Sequence, residues 1–405
     1  MSWSQFSRDV PRLLTIGTKS AVATQTRDVV CRGGAARMTS PAPRSAWAEI
    51  VASDPLAGPS HLPAWLDCIC EAGGWSDASR LYEFPDGRRM VIPLVRQGFA
   101  AAPGQSGLLD VHASFPRGWA SGGIVAPGGA TTEDVAFALT DLAAAPGLRM
   151  LLRPGFSTAA TWREASSHGW GSECGPLKMP LATYILDLEG GLEKVWSNRL
   201  SSKARSGIRN AQRKADKAKL EIDVGNSPQL LADFYDLYLR WLDRRARERR
   251  MPRAVARWRG QRAEPMLRFH TVATALGERC RIWVARLDGT PIASAFAVYH
   301  GAIGIGWRAF SDRELAGPLR AHELVQFLAI EHACGIGCRY FDMGESGGAA
   351  GLATVKKRFG AKPHAVAEYA FERAPISYVE RNLAELRNRI ESRALSAHQC
   401  HREPS

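Results

Sequence analysis

Along the chain the spacing of apolar residues switches repeatedly between the helical and the strand period, which predicts a mixed α/β (α+β) protein. In the first part, 63–72 and 132–145 read as helices, while 80–84 and 90–95 read as strands paired across the Pro85-Asp86-Gly87 turn. The glycine-rich stretch 98–129, which carries Trp119, Gly122 and Gly123, has no clear period and is expected to be a long loop facing a cleft. From 192 to 219, Leu192, Val195, Trp196, Leu200, Ala204 and Ile208 recur at helical spacing among arginines and lysines, predicting a basic amphipathic helix. Ser227 and Pro228 then supply an N-cap and a first-turn proline for a helix striped by Leu230, Phe234, Leu237, Tyr238 and Trp241. A helix at 265–276 precedes three strands, 281–287, 292–299 and 303–310, broken at Asp288-Gly289 and Gly301, which read as an antiparallel meander. A helix at 319–333, a strand beginning near 339, a closing strand at 364–371 and a polar terminal helix at 377–393 complete the pattern.

The elements group into two α/β units, 45–184 and 185–375, between an N-terminal extension (1–44) and a C-terminal helix and tail (376–405). Two units suit 405 residues at roughly 150 residues per domain. The first forty residues are rich in Arg, Ser and Thr but form no sustained amphipathic face, and Met38 stands just before the globular pattern. They are expected to be disordered, or to reflect a start codon placed too early, with residues 1–37 untranslated.

Composition narrows the setting. With 45% hydrophobic and 23% charged residues and no apolar run long enough to span a bilayer, a soluble protein without integral membrane contact is expected. A formal charge of +13 points to an anionic partner, whether a phosphorylated cofactor, a nucleic acid or an anionic membrane surface approached peripherally. Eight cysteines are too few for a disulfide scaffold of this length, and no secretory signal precedes them, so a reducing, cytoplasmic location is expected. His322-Glu323 and the Glu331, His332, Cys334, Cys338 group match no closed tetrahedral set, so no metal site is expected.

Candidate chemistry concentrates near the end. Tyr340 and Phe341 suit a strand that runs into a turn freed by Gly344, Gly347, Gly348 and Gly351. Two carboxylates, Asp342 and Glu345, and the cations Lys356, Lys357 and Arg358 converge on that bend. The strand ending in Phe341-Asp342-Met343-Gly344, the Gly/Ser loop, Gly351, Val355-Lys356 and the closing Phe359-Gly360 resemble the C-terminal signature of FemAB-like proteins. That group is the branch of the GNAT acyltransferase superfamily that includes BioF2-like acetyltransferase domains; Val355 stands here for the usual aromatic. The resemblance extends back through the basic 198–219 segment to Leu62-Pro63-Ala64-Trp65-Leu66 and Asp54-Pro55.

The resemblance implies two tandem GNAT-like halves, the first degenerate, each a mostly antiparallel mixed sheet flanked by helices. It implies an N-acyltransferase acting on an amine or sugar acceptor, a small molecule or glycan precursor of cell-envelope or exopolysaccharide synthesis. The donor it implies is acyl-CoA as co-substrate, with no permanently bound cofactor; an aminoacyl-tRNA donor and a peptidoglycan precursor is the alternative. A non-catalytic basic binding module on the same fold is the third reading. Acyl transfer to an amine needs a proton acceptor and donors for the oxyanion. Asp342 or Glu345 is the candidate base, and Lys356, the family's lysine by position, is the cation that steadies a carbonyl or a phosphate. The binding set expected around them comprises Arg205 and Arg209 as a paired clamp, Arg308, Gly317, Leu319, Gly344, Ser346 and Lys357. Gly317 and Leu319 belong to the segment 313–319, where the superfamily holds a pyrophosphate, although Ala316 and Pro318 interrupt its usual glycine pattern.

Overall fold

Residues expected to be disordered open the structure as a hairpin: Gln25–Cys31 (β1) pairs antiparallel with Gly34–Ser40 (β2). Met38 lies inside β2, is buried, and sits opposite Tyr82, so a chain started there would lack most of this hairpin. The computed structural model describes residues 24–31, 34–98, 107–145, 147–167, 175–347, 349–380 and 382; the rest of the expected extension and all but the start of the expected terminal helix lie outside them.

After the hairpin come α1 (Arg44–Ser53), α2 (Pro63–Gly73), β3 (Ser76–Asp77), β4 (Arg80–Glu83), β5 (Arg89–Ile92), β6 (Val95–Gln97), β7 (Val111–Ala113), α3 (Thr132–Ala143), β8 (Arg149–Leu152), α4 (Ala159–Ala165) and β9 (Leu177–Asp187). The second half holds α5 (Gly191–Lys194), α6 (Ser202–Lys217), β10 (Glu221–Gly225), α7 (Pro228–Glu248), α8 (Arg253–Ala263), α9 (Met266–Leu276), β11 (Cys280–Leu287), β12 (Thr290–His300), β13 (Ile303–Ser311), α10 (Arg313–Leu319), α11 (Ala321–Gly335), β14 (Tyr340–Glu345), α12 (Ala350–Arg358) and β15 (Lys362–Glu372). The β4–β5 hairpin, α7 and the β11–β12–β13 meander fall where the hydrophobic pattern put them. Ser227 Oγ accepts the Leu230 amide, the cap expected of it.

The expected single helix over 192–219 is broken. A π-helical turn follows α5 and ends where Leu200 turns extended (ψ 132), after which Ser201 caps α6 through the Ala204 amide. Apolar spacing could not reveal this, because both pieces keep their apolar side on the same core.

Eleven strands form one sheet in the order β10-β11-β12-β13-β14-β9-β15-β8-β7-β6-β3, beside a four-stranded sheet β1-β2-β4-β5. The expected boundary at 184/185 falls inside β9, which pairs with β14 of the second half on one edge and with β15 on the other. The last strand therefore joins the halves, since β15 also pairs with β8. One buried cluster, with Trp47, Trp65, Trp119, Phe234, Phe269 and Trp307, draws on both halves; a second lies mainly in the first half but takes in Tyr369 of β15, and a third lies mainly in the second.

Each half contains one parallel pair within an otherwise antiparallel sheet: β7 with β8, and β13 with β14. The β13–β14 pairing lasts three residues, Ile303 to Ile305 against Tyr340 to Asp342. Just beyond it both strands are bulged. Trp307 is the extra residue between the pairs Phe296–Arg308 and Ala297–Gly306, and β14 shifts register against β9 between Asp342 and Glu345. An extra residue bends its strand and strengthens the twist, so two bulges at the same level drive the strands apart.

Candidate active site

The slot between the parted strands opens into a cavity of about 450 Å³, a size suited to a small-molecule site. Its floor is Gly306 to Ala309 of β13 and Phe341 to Glu345 of β14; Gly118, Ala120, Ser121, Arg153 and Pro154, just beyond the ends of β7 and β8, form the facing wall. Both parallel pairs thus open onto one space. Part of the glycine-rich 98–129 stretch does face this cleft, as its composition suggested.

Asp342 is the last residue of β14 paired with β13. Its Oδ1 accepts hydrogen bonds from Thr183 Oγ1 of β9 (2.8 Å) and from the Gly344 amide (2.7 Å), which leaves Oδ2 as the oxygen available to a ligand. Gly344 adopts φ 74, a left-handed conformation that favours glycine and that turns its amide back onto the carboxylate. Burial raises the Asp342 carboxyl above the ordinary carboxylate range, against the opposing pull of those hydrogen bonds and of the Lys356 charge.

Lys356 reaches the same spot from α12, a helix that periodicity did not reveal. The side chain is buried, and Nζ donates to the carbonyls of Gly344 (2.8 Å) and Glu345 (2.7 Å) and lies 5.6 Å from the Tyr184 ring centroid. Burial lowers its pKa from 10.5 to about 8, while Asp342 and Glu345 hold it from falling further. A half-buried carboxyl that resists ionising beside a buried amine that resists charging is the pattern of groups poised for proton transfer near neutral pH.

Glu345 faces a different partner. Its Oε1 accepts from Arg153 Nη2 at 2.8 Å, and Arg153 Nε lies 2.7 Å from Glu368 of β15, so one buried guanidinium ties together residues from both halves. Arg308 forms the opposite wall, with Nε and Nη2 on Glu264 and a further bond of 3.0 Å to the Gly118 carbonyl. Trp307 Nε1 also donates to Gly118 O (3.1 Å), and Arg268 lies over the Trp119 ring, 4.8 Å from its centroid. His322 of α11 lines the cavity, 2.6 Å from Gln326 Nε2 through its own Nε2, with Nδ1 buried and unpartnered. Burial keeps this imidazole below its ordinary pKa, and therefore neutral at neutral pH.

Of the residues singled out in the sequence, the structure brings Asp342, Glu345, Lys356, Arg308 and Gly344 to one cavity. It takes the others elsewhere. Arg205 Nη1 caps the π-helical turn through the carbonyls of Trp196, Ser197 and Leu200 (2.9 to 3.2 Å), and Arg209 stacks on Trp196 at 5.4 Å, so the expected clamp is committed to its own helix. Gly317 and Leu319 lie in α10, whose first amides are already taken by Asp312 Oδ1 (3.0 Å to Glu314 N, 3.3 Å to Leu315 N), which removes the anion-binding end expected there. Lys357 is exposed on α12, and Ser346 uses its carbonyl to start that helix, accepting from Ala349 N. Arg153, Thr183, Glu368 and Gln326 went unnoticed, and His322 was weighed only as a metal ligand; of the unnoticed four, only Arg153, the cation directly after the apolar run of β8, left a local trace in the sequence. The Cys334 and Cys338 thiols are pushed up to about 11 by burial, and among the described residues no group of His, Cys, Asp and Glu is arranged to hold a metal.

Residues 202–351 match the family model of an acetyltransferase (GNAT) domain. Among solved structures, FemX aligns with a TM-score of 0.57 at 13% identity, covering 82% of this chain and 96% of that one. The C-terminal domain (DUF2156) of a putative lysylphosphatidylglycerol synthetase from Agrobacterium fabrum (TM-score 0.46, 12% identity, 84% and 96% coverage) and a tandem GNAT protein from the clavulanic acid pathway (0.41, 10%, 87% and 99%) are similar more distantly, too distantly to bear on function. No curated protein sequence matches. The second half thus contains a segment similar to a GNAT acetyltransferase domain, and the chain as a whole is similar in fold to FemX. Among the described residues no helix is long and apolar enough to cross a membrane.

Proposed function

We propose that the protein is an N-acyltransferase that moves an acyl group from a thioester donor, acyl-CoA, to an amine in the cavity between the two halves. The observation that carries this reading is the slot between β13 and β14, where the backbone loses its pairing beside Asp342 and Lys356. An extended donor arm lies along those freed backbone groups, with its carbonyl at the Lys356 end. Its phosphates meet the first turn of α11, which starts without a side-chain cap. Asp342 Oδ2 takes a proton from the acceptor's ammonium; the freed amine attacks the carbonyl carbon, the C–S bond breaks, and the thiolate leaves with the amine's remaining excess proton. Lys356, as the ammonium, steadies the oxyanion formed in between. Glu345, held by Arg153, shapes the acceptor side, and Gly344 fixes the turn on which both catalytic groups depend. The acceptor is a small molecule or glycan precursor bearing an amine.

An aminoacyl-tRNA donor is the alternative that the resemblance leaves open, and a fold that binds without reacting is the third. One assay separates them: thiol release from acyl-CoA with a panel of amines and amino sugars, run beside consumption of bulk aminoacyl-tRNA. Thiol release that disappears in Lys356→Ala supports the proposal. Loss of the aminoacyl ester without thiol release replaces the donor, and no turnover of either substrate leaves only the binding module.

A further inference from the structure

Charge on this molecule is concentrated far more strongly at one place than at the cavity. Between residues 244 and 262, the end of α7 and nearly all of α8, the chain holds nine arginines against the single acid Glu248. Arg253 and Arg257 pair with Asp243 (2.5 and 2.7 Å) while Arg253 stays exposed. Arg247, Arg250, Arg259 and Arg262 stand exposed.

Apolar side chains stand out among these cations. Trp258 is 60% exposed and Val255, one turn earlier on α8, 37% exposed; Leu267, at the start of α9, is 46% exposed. Arg262 lies over the Trp258 ring, 5.8 Å from its centroid. The orientation of α8 is fixed by its other side, where Ala256 and Gly260 are buried and the missing side chain of Gly260 admits Leu242 and Tyr238 of α7. The helix cannot roll to hide Trp258 and Val255 without breaking that close approach.

A solvated face carries charge alone. A nucleic-acid face makes use of cations and an aromatic ring, but it offers nothing to exposed Val255 and Leu267. A lipid surface accommodates all three: guanidinium groups on the phosphates, indole at headgroup level, aliphatic side chains at the acyl boundary. We propose that the outer face of α8, with the end of α7, docks the protein onto a bilayer rich in anionic lipid. The patch is tied to the cavity, because Glu264, one residue past α8, holds Arg308 in the cavity wall. Docking therefore anchors the cavity-bearing half at the membrane surface through α8.

The test is flotation of the full-length protein with vesicles of phosphatidylcholine alone and of phosphatidylcholine mixed with phosphatidylglycerol, across a salt series. Binding to the anionic vesicles only, weakened by salt, is expected. Arg259→Glu with Arg262→Glu should weaken it on the order of tenfold or more, and Trp258→Ser with Val255→Ser should also weaken it. Quenching of tryptophan emission by brominated lipid should diminish in Trp258→Phe. These residues are exposed, so urea midpoints stay unchanged and lost binding reports surface chemistry. Failure to float with anionic vesicles overturns the proposal, as does flotation indifferent to Trp258 and Val255, or bulk RNA held through the same arginines at salt concentrations where vesicles are not.

Discussion

Replacing Lys356 by methionine isolates the free energy of holding an ammonium group inside the protein. The side chain is 6% exposed and its pKa falls from 10.5 to about 8 because burial penalises the charge. Below pH 8 both native and unfolded chains carry the proton, and the native state bears the whole penalty. Between pH 8 and 10.5 the unfolded chain still holds the proton while the native one has released it, so stability rises with pH by about 1.4 kcal/mol per unit. Across that window the gain is about 3 kcal/mol. Methionine has a similar length and does not titrate, so the unfolding free energy of the wild type minus that of Lys356→Met should climb by this amount between pH 8 and 10.5. Tyrosines and thiols that titrate in the same range cancel in the difference. Urea unfolding at pH 7, 8, 9 and 10 measures it. Two parallel stability curves would show that the amine is not held against its charge, and the pairing of Asp342 with Lys356 as proton-transfer partners would lose its basis.

Asp342→Asn keeps an acceptor for Thr183 and Gly344 but cannot take a proton, so kcat for acyl transfer should fall by about 10²–10⁴ while thermal unfolding stays near that of the wild type. In the wild type, activity should fall on the acid side as Asp342 protonates, at a pH above the ordinary carboxylate range, and on the alkaline side near pH 8 as Lys356 loses its charge; a pH–rate profile checks both limbs. Arg153→Met strips the buried Glu368 of its 2.7 Å partner and should destabilise by about 3–5 kcal/mol, much of it recovered in Arg153→Met with Glu368→Gln, as read by urea unfolding. Gly360 has φ 84, and a Cβ there would press into the Arg199 carbonyl, so Gly360→Ala should cost at least about 1–3 kcal/mol and lower the melting temperature.

The elements that a local pattern specifies were legible in advance. Ser227-Pro228 set the start of α7, Pro85-Asp86-Gly87 the β4–β5 turn, and the Phe-Asp-x-Gly run the end of β14 beside the cavity. The β1–β2 hairpin was not, because its strands hold little apolar surface of their own and gain order from remote partners: β4, where Met38 meets Tyr82, and α3, where Arg27 pairs with Asp141. Nor was the fate of Arg205. A cation on a basic amphipathic helix looks like a ligand clamp until the chain breaks at Leu200 and presents three carbonyls to it.

From sequence alone came the residues proposed to react: an acid at a strand end, a glycine that can turn left-handed, and a lysine twelve residues further on. Tertiary structure decided their chemistry. Asp342 and Lys356 owe their altered proton affinities to burial, and Glu345 owes its restraint to Arg153, 192 residues away in sequence. The cavity exists because bulges in two separate strands fall at one level. Short-range preferences act over a few residues and can be read along the chain, whereas desolvation, strand divergence and the pairing of distant charges arise only once remote segments share the same few ångströms.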